Sequence, residues 1–274
     1  MVTGDTAVIV ASRQRRWEMI RSLVAKGANV DIVGRDGKKA LEVAYEAAGP
    51  QLDSVFPFDN PFRLDYDLQN GDPAVRSAVS EALKDLLAKT SDVADLKISA
   101  QKDFEKESLA HFFSWYEFEE LLLLSLSRGV DIDDFDEDRW TALMYSSARA
   151  RPQYVQIILD NGANVNKSNG SYTPLTTAML PAIDRDETSI QSALEVCTIL
   201  FDRGANVNSR VFQGDTVIHE VVRSGVTEFV RLLVERGTDV QLTDRSGQTP
   251  HDLAVQRDSS TEIVALLTPP ATAN

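Results

Sequence analysis

Cysteine is nearly missing from this chain, with one residue, Cys197, in 274. A single thiol cannot close an internal disulfide, so no covalent cross-link framework holds the fold. Its place beside Val196 and Ile199 reads as a small buried hydrophobe. Histidine is scarce as well, at three copies, which leaves little material for histidine-based catalysis or metal ligation. Long apolar runs are also missing. None exceeds five residues, far short of the roughly 18 that a membrane span needs, and the leucine run Leu121 to Leu124 reads as a helix core. The N-terminus has no apolar stretch of the kind a secretory signal carries. The expected location is the cytoplasm, with the nucleus open.

Positive charge is in deficit, 28 basic against 42 acidic residues, for a net charge of −14. The deficit is uneven. Residues 1–40 hold eight basic side chains (Arg13, Arg15, Arg16, Arg21, Lys26, Arg35, Lys38 and Lys39) against four acidic ones, so the remainder carries −18. A field of that sign repels nucleic acid and speeds encounter with a basic protein partner. Solubility alone is the other reading of the same surface. The basic N-terminal stretch fits an acidic partner or another molecule of the chain, or a solvated inter-helix turn at Arg13 to Arg16.

What the chain does have is a period. Gly214-Asp215-Thr216-Val217-Ile218-His219 opens a block that ends at Gly237, and Gly247-Gln248-Thr249-Pro250 restarts it 33 residues later. The block-ending glycines Gly129, Gly162, Gly204 and Gly237 each follow apolar residues and lead into a polar turn, as a left-handed helix cap does. Thr6-Ala7-Val8-Ile9, Thr141-Ala142-Leu143-Met144 and Thr173-Pro174-Leu175-Thr176 keep the same register. A period of about 33 built as turn, helix, second helix and cap resembles the ankyrin repeat. That resemblance implies an all-α ankyrin-repeat solenoid, helix–turn–helix units with β-hairpin tips, about six to eight units. Eight is the count when the tips are placed at Gly4, Gly37, Gly71, Lys106, Arg139, Ser171, Gly214 and Gly247. It also implies that His111 and His219, at the signature position, bond neighbouring turns. Glu42 stands at that position in the second unit and Asp252 in the last.

The first half is less regular. Pro57, Pro61, Pro73 and an Asn-Gly turn exclude a helix between Pro57 and Asp72. Asp72-Pro73 then starts a helix to about Lys89, and Ser91-Asp92 offers a cap for a further helix toward Ala110. A degenerate unit and a helical insertion both fit. The expected organisation is N-terminal ankyrin units over 1–56, a degenerate unit or helical insertion over 57–103, and C-terminal units with an end cap over 104–274. The fifth unit is ten residues too long, read as an extended loop over Leu180 to Ser189.

No nucleophile–histidine–acid order, phosphate-cradling loop or paired-cysteine spacing is present, so neither catalysis nor a cofactor is expected. The acidic run Asp131, Asp133, Asp134, Asp136, Glu137, Asp138 lacks the sixth-position glycine and the terminal glutamate of a calcium loop, and no metal is expected. Partners in the ankyrin family often dock on hairpin tips and first helices, which form a concave face. The resemblance therefore makes this chain a non-catalytic protein–protein interaction module, with no nucleic-acid or membrane partner. Trp140, Tyr172, Asp215 and Gln248 precede the signature threonine or its equivalent at successive tips. Phe135, Asp138 and Phe212 share those hairpins, and Arg149 and Arg223 lie at first-helix exits. The partner-binding candidates are thus Trp140, Tyr172, Phe212, Phe135, Asp138, Arg149 and Arg223. Sideways packing of Trp140 and Tyr172 between hairpins is the competing reading. Two other functions stay open: an acidic inhibitor or immunity-type protein neutralising a basic enzyme such as a nuclease, and a purely structural segment of a longer array. Val8, Ile9 and Trp17 have no evident polar cover, which points to truncation or to self-association through the N-terminal unit.

Overall fold

The computed structural model describes residues 4–55, 72–94, 96–98, 107–179, 187–210 and 215–268. Among them the chain is almost wholly helical. The helices run in order as α1 (Ala7–Arg13) and α2 (Trp17–Ala25), α3 (Ala40–Val55) and α4 (Pro73–Lys89), α5 (Leu109–Trp115) and α6 (Glu119–Ser127), and α7 (Ala142–Ala148) and α8 (Pro152–Asp160). They continue as α9 (Pro174–Ala178) and α10 (Glu187–Asp202), α11 (Val217–Ser224) and α12 (Thr227–Glu235), and α13 (Pro250–Gln256) and α14 (Thr261–Leu267). One short antiparallel pair, β1 (Lys97–Ile98) and β2 (Glu107–Ser108), is also described.

The helices start and stop where local chemistry dictates. The Thr6, Thr173 and Thr249 hydroxyls accept from the backbone N–H three residues on, while Pro174 and Pro250 take the first helical position, where no N–H is missed. Gly204 and Gly237, at φ 87° and 80°, take the left-handed conformation that reverses the chain after α10 and α12. The second helices are amphipathic; α12 buries Phe229, Val230 and Leu233 and turns its charges outward.

The chain divides into two compact units at residues 142 and 143. In the first, α1 packs on α3, α2 on α4 and α4 on α6. Its centre is aromatic: the Tyr45 ring meets Phe112 and Phe113 edge-on with centroids 5.0 and 5.4 Å apart, and Tyr116 lies 4.6 Å from Phe112. In the second, α8 packs on α10, α10 on α12, α11 on α13 and α12 on α14. Cys197 is fully buried there, and burial pushes its thiol pKa well up, so it is unreactive in the folded state.

Four expectations meet corrections. Val8, Ile9 and Trp17 are buried, at 1, 0 and 6% exposure, because α3 covers α1, α4 covers α2, and Gln51 accepts from the Trp17 indole at 3.0 Å. They expose no apolar end. A count of eight places a separate unit at Gly71; instead α4 lies against α3, and the described helices run as seven consecutive pairs. No helix starts at Ser91-Asp92, since Asp92 has φ 52° and strand β1 follows. The stretch Leu180 to Ser189 is not all loop, because α10 already begins at Glu187; residues 180–186 lie outside the described ones.

Arg128 explains how so long a helix as α4 ends in place. Its guanidinium donates to the carbonyls of Leu87 (2.9 Å), Ala88 (3.2 Å) and Thr90 (2.6 Å), which the end of α4 would otherwise leave unmatched.

Candidate partner-binding residues at the hairpin tips

Four of the described tips close on the same kind of backbone hydrogen bond. The N–H of Gly34, Asp136, Asn169 and Asp244 donates to the carbonyl of Lys38, Trp140, Tyr172 and Gln248, at 2.9 to 3.2 Å. A signature histidine then ties a tip to the helix of the unit before it. His111 Nδ1 accepts from Ser108 Oγ at 2.7 Å, and its Nε2–H donates to the Trp140 carbonyl at 2.9 Å. His219 repeats this with Thr216 Oγ1 at 2.7 Å and the Gln248 carbonyl at 3.0 Å. A carbonyl only accepts, so Nε2 carries the hydrogen in both rings. Glu42 and Asp252 cannot do this. Their carboxylates accept from their own helix starts, the Lys39 and Thr249 N–H, at 2.7 and 3.1 Å.

In the first compact unit, Trp140 is held at both ends of its peptide, since its N–H also donates to Asp136 Oδ1 at 2.7 Å. The Trp140 and Phe135 residues are half-buried, and the Arg139 guanidinium stands 5.0 Å from the Phe135 ring centre. Arg139 has φ 60° at a tip position where Gly37 and Gly247 stand elsewhere. Asp131, Glu137 and Asp138 around it are exposed. Among the described residues no group of three or more His, Cys, Asp or Glu side chains is placed to hold a metal ion.

In the second unit, Tyr172 is half-buried and its N–H donates to Asn169 Oδ1 at 2.8 Å; Arg149 is half-buried too. Phe212 lies outside the described residues. Asp215 does not project from its tip as the register predicts. It is buried, and Arg223 is the reason: its guanidinium reaches Asp215 Oδ2 (2.7 Å), Glu220 Oε1 (2.7 Å) and Asp244 Oδ2 (3.2 Å). Arg223 thus spends its charge inside the chain. Burial opposes ionisation of Asp244, but the Gln248 and Ser246 N–H groups, then His219 and Arg223, outweigh it and hold its pKa below the usual carboxylate range. Sequence reasoning missed this clasp. A signal existed, because an aspartate before the signature threonine with an arginine eight residues on recurs as Asp5/Arg13 and Asp215/Arg223.

The model of a single ankyrin repeat matches residues 138–170, and that of three ankyrin repeats matches residues 187–274. Those two segments of the chain are ankyrin repeats. Such repeats generally mediate protein–protein interaction. An ankyrin repeat protein of fowlpox virus is 32% identical over 150 residues, which cover 52% of this chain and 41% of that protein. The ankyrin repeat and KH domain-containing protein mask-1 of Caenorhabditis elegans is 26% identical over 261 residues, 83% of this chain and 10% of that protein. Human Rabankyrin-5 is 29% identical over 136 residues, 48% of this chain and 12% of that protein. The chain thus spans between a tenth and about two fifths of these relatives. No helix among the described residues is long and apolar enough to cross a membrane.

Proposed function

We propose that these ankyrin repeats form a non-catalytic module that binds another protein through hairpin tips and the first helices behind them. The observation that carries this is the Trp140 tip. Its backbone is fixed by His111 and Asp136, so its half-buried ring and that of Phe135 are presented without the ordering cost of a mobile loop. Aromatic anchors of this kind dominate interface energetics, each worth about 2 kcal/mol or more. Asp138 supplies the acidic rim. Tyr172 and Arg149 are the corresponding candidates in the second unit, whereas Arg223 acts as an internal clasp. A basic partner is the complement, and a basic enzyme held by this acidic module is the second reading, favoured by the exposed carboxylates at Asp131, Glu137 and Asp138.

The test is co-purification from native lysate with wild type beside a Phe135→Ala/Trp140→Ala variant whose helicity is confirmed by circular dichroism. Loss of a specific protein in the variant supports the tip as the site. Retention of every partner overturns it. Release of a basic enzyme by salt moves the inhibitor reading ahead.

A further inference from the structure

The search of the molecule leads away from the tips to the opposite, second helices of the first compact unit. Helices α2 and α4 lie side by side, with Arg21 reaching Glu81 and Asp85 at 3.5 and 3.4 Å, and they run in the same direction, since Arg16 to Ser22 share a cleft with Ala78 and Val24 to Asp31 share one with Asp85 to Lys89. Two clefts lie along that seam. One of about 580 Å³ is lined by Arg16, Trp17, Glu18, Met19, Ser22 and Ala78 and is mostly apolar. The other, of about 500 Å³, is lined toward the far end by Val24, Ala28, Val30, Asp85, Ala88 and Lys89 among others. Met19 stands in the first cleft 46% exposed, one of few large apolar side chains so exposed.

The charges of the seam decide its occupant. Three carboxylates along the seam, Glu18, Glu81 and Asp85, share the single guanidinium of Arg21 at 3.8, 3.5 and 3.4 Å, while Asp31 pairs with Lys39 at 3.2 Å and accepts from the Ser91 N–H. The lining cations Arg16 and Lys89 are exposed and have no ion pair among the described residues. Arg15 and Lys26, next to the two ends, are exposed and unpaired in the same way. The trough is therefore mostly apolar in its first cleft and mixed in its second, and its six cations (Arg15, Arg16, Arg21, Lys26, Lys39 and Lys89) outnumber its four carboxylates (Glu18, Asp31, Glu81 and Asp85), with the unpaired cations at both ends. That pattern is opposite in sign to the rest of the chain.

We propose that the α2–α4 seam is a second docking surface, for an acidic amphipathic helix of another protein. From Arg16 to Lys26 the trough is roughly 15 Å long, at about 1.5 Å per helical residue. A partner helix of about three turns lays an apolar side chain against Met19 and Trp17 and sets a carboxylate at each end, toward Arg15/Arg16 and Lys26/Lys89. Helix-in-groove recognition supplies the apolar contact, and charge supplies orientation and encounter rate. The surface is independent of the tip site: it takes an acidic ligand where the tips take a basic one.

The experiment uses the full chain and a fluorescein-labelled 14-residue peptide of leucine, alanine and glutamate, with leucines spaced three and four apart. A second peptide of the same composition carries the leucines in a scrambled order. Anisotropy is expected to show saturable binding of the patterned peptide, at least tenfold tighter than the scrambled one and weaker in high salt. Met19→Glu and Arg16→Glu/Lys89→Glu each reduce it about tenfold, while Phe135→Ala/Trp140→Ala leaves it unchanged. The altered side chains are exposed, so folding is preserved; an unchanged circular dichroism spectrum checks this. Equal affinity for the two peptides, absence of binding at 1 mM peptide, or full binding by the Arg16→Glu/Lys89→Glu variant overturns the proposal. So does sedimentation that shows a dimer dissolved by the same charge reversals, which would make a second copy the occupant.

Discussion

The clasps around Arg13 and Arg223 are the same device built at two levels of burial. In each, an aspartate before the signature threonine (Asp5, Asp215) accepts from the backbone N–H of a residue 30 positions on, at 3.0 and 3.1 Å. In each, an arginine eight residues further along holds that aspartate together with one from the next tip: Arg13 with Asp36 at 2.7 Å, Arg223 with Asp244 at 3.2 Å. The side chains of Asp215 and Asp244 are 4 and 3% exposed, those of Asp5 and Asp36 16 and 31%. The difference traces to the signature position. Where α11 carries His219, α1 carries Ile9, and the tip residue facing it is Gly34 instead of an aspartate. A Cβ on Gly34 would come within 2.8 Å of Asp5 Oδ1 and 3.1 Å of Ile9 Cδ1. The first clasp must therefore draw its second carboxylate from Asp36, two residues later and nearer to water. Geometry alone does not set what an ion pair is worth; the neighbour that decides its burial does.

The largest expected break in this comparison is Arg223→Ala. It strands two buried carboxylates, a change that costs 3–5 kcal/mol where burial is complete. Arg223 is 26% exposed, and Asp244 keeps its Ser246 and Gln248 N–H donors. The lower end, about 3 kcal/mol, is expected. Urea unfolding read by hydrogen exchange on α11 to α14 measures it, and a loss below about 1 kcal/mol sinks the contrast with Arg13.

Much of this fold was readable before any coordinates. The threonine caps and the glycine turns follow from local chemistry repeated at a fixed period, and each needs only its own unit; the two bridging histidines reach the next tip, and their role follows from the repeat resemblance. What stayed illegible depends on a partner brought in from elsewhere. Arg223 occupies an outward position on α11 and reads as available, because Asp244 arrives from 21 residues away. Trp17 reads as uncovered, because α4 is separated from it by more than 50 residues. The long α4 reads equally as part of a degenerate unit or as an insertion, because its place is fixed by Arg128 at the end of α6 and by packing on α2, neither of which leaves a periodic trace.

Acid sharpens the comparison at a smaller scale. Burial resists ionisation of Asp36 as it does of Asp244, and in both cases donated hydrogen bonds and a guanidinium win, leaving each pKa lowered in the fold. A carboxylate with a depressed folded pKa stabilises fully above its unfolded value, about 3.9, and loses that contribution as pH falls through the lower folded value. Both clasps therefore weaken below about pH 4. Asp244→Asn is expected to flatten the acid limb of the stability curve more than Asp36→Asn, since the latter carboxylate is better solvated. Urea midpoints between pH 2.5 and 6 decide it; equal slopes for the two variants contradict the burial argument.

Arg13→Ala is the smallest effect and the control for the whole contrast. The Arg13 side chain is 41% exposed and its two carboxylates reach water. Removing it frees Asp5 and Asp36 to be hydrated, so the loss lies in the range of surface pairs, up to about 1 kcal/mol. Asp5 keeps the Arg35 N–H and Asp36 keeps the Lys38 N–H, so neither turn loses its last tie. In 1 M salt, where screening acts over about 3 Å, wild type and Arg13→Ala should unfold at nearly the same urea concentration. The Arg223→Ala deficit persists in the same salt, because ions do not reach a carboxylate that water does not reach. A salt-insensitive Arg13→Ala deficit of several kcal/mol would mean that the exposed clasp is as structural as the buried one, and that burial is not what separates them.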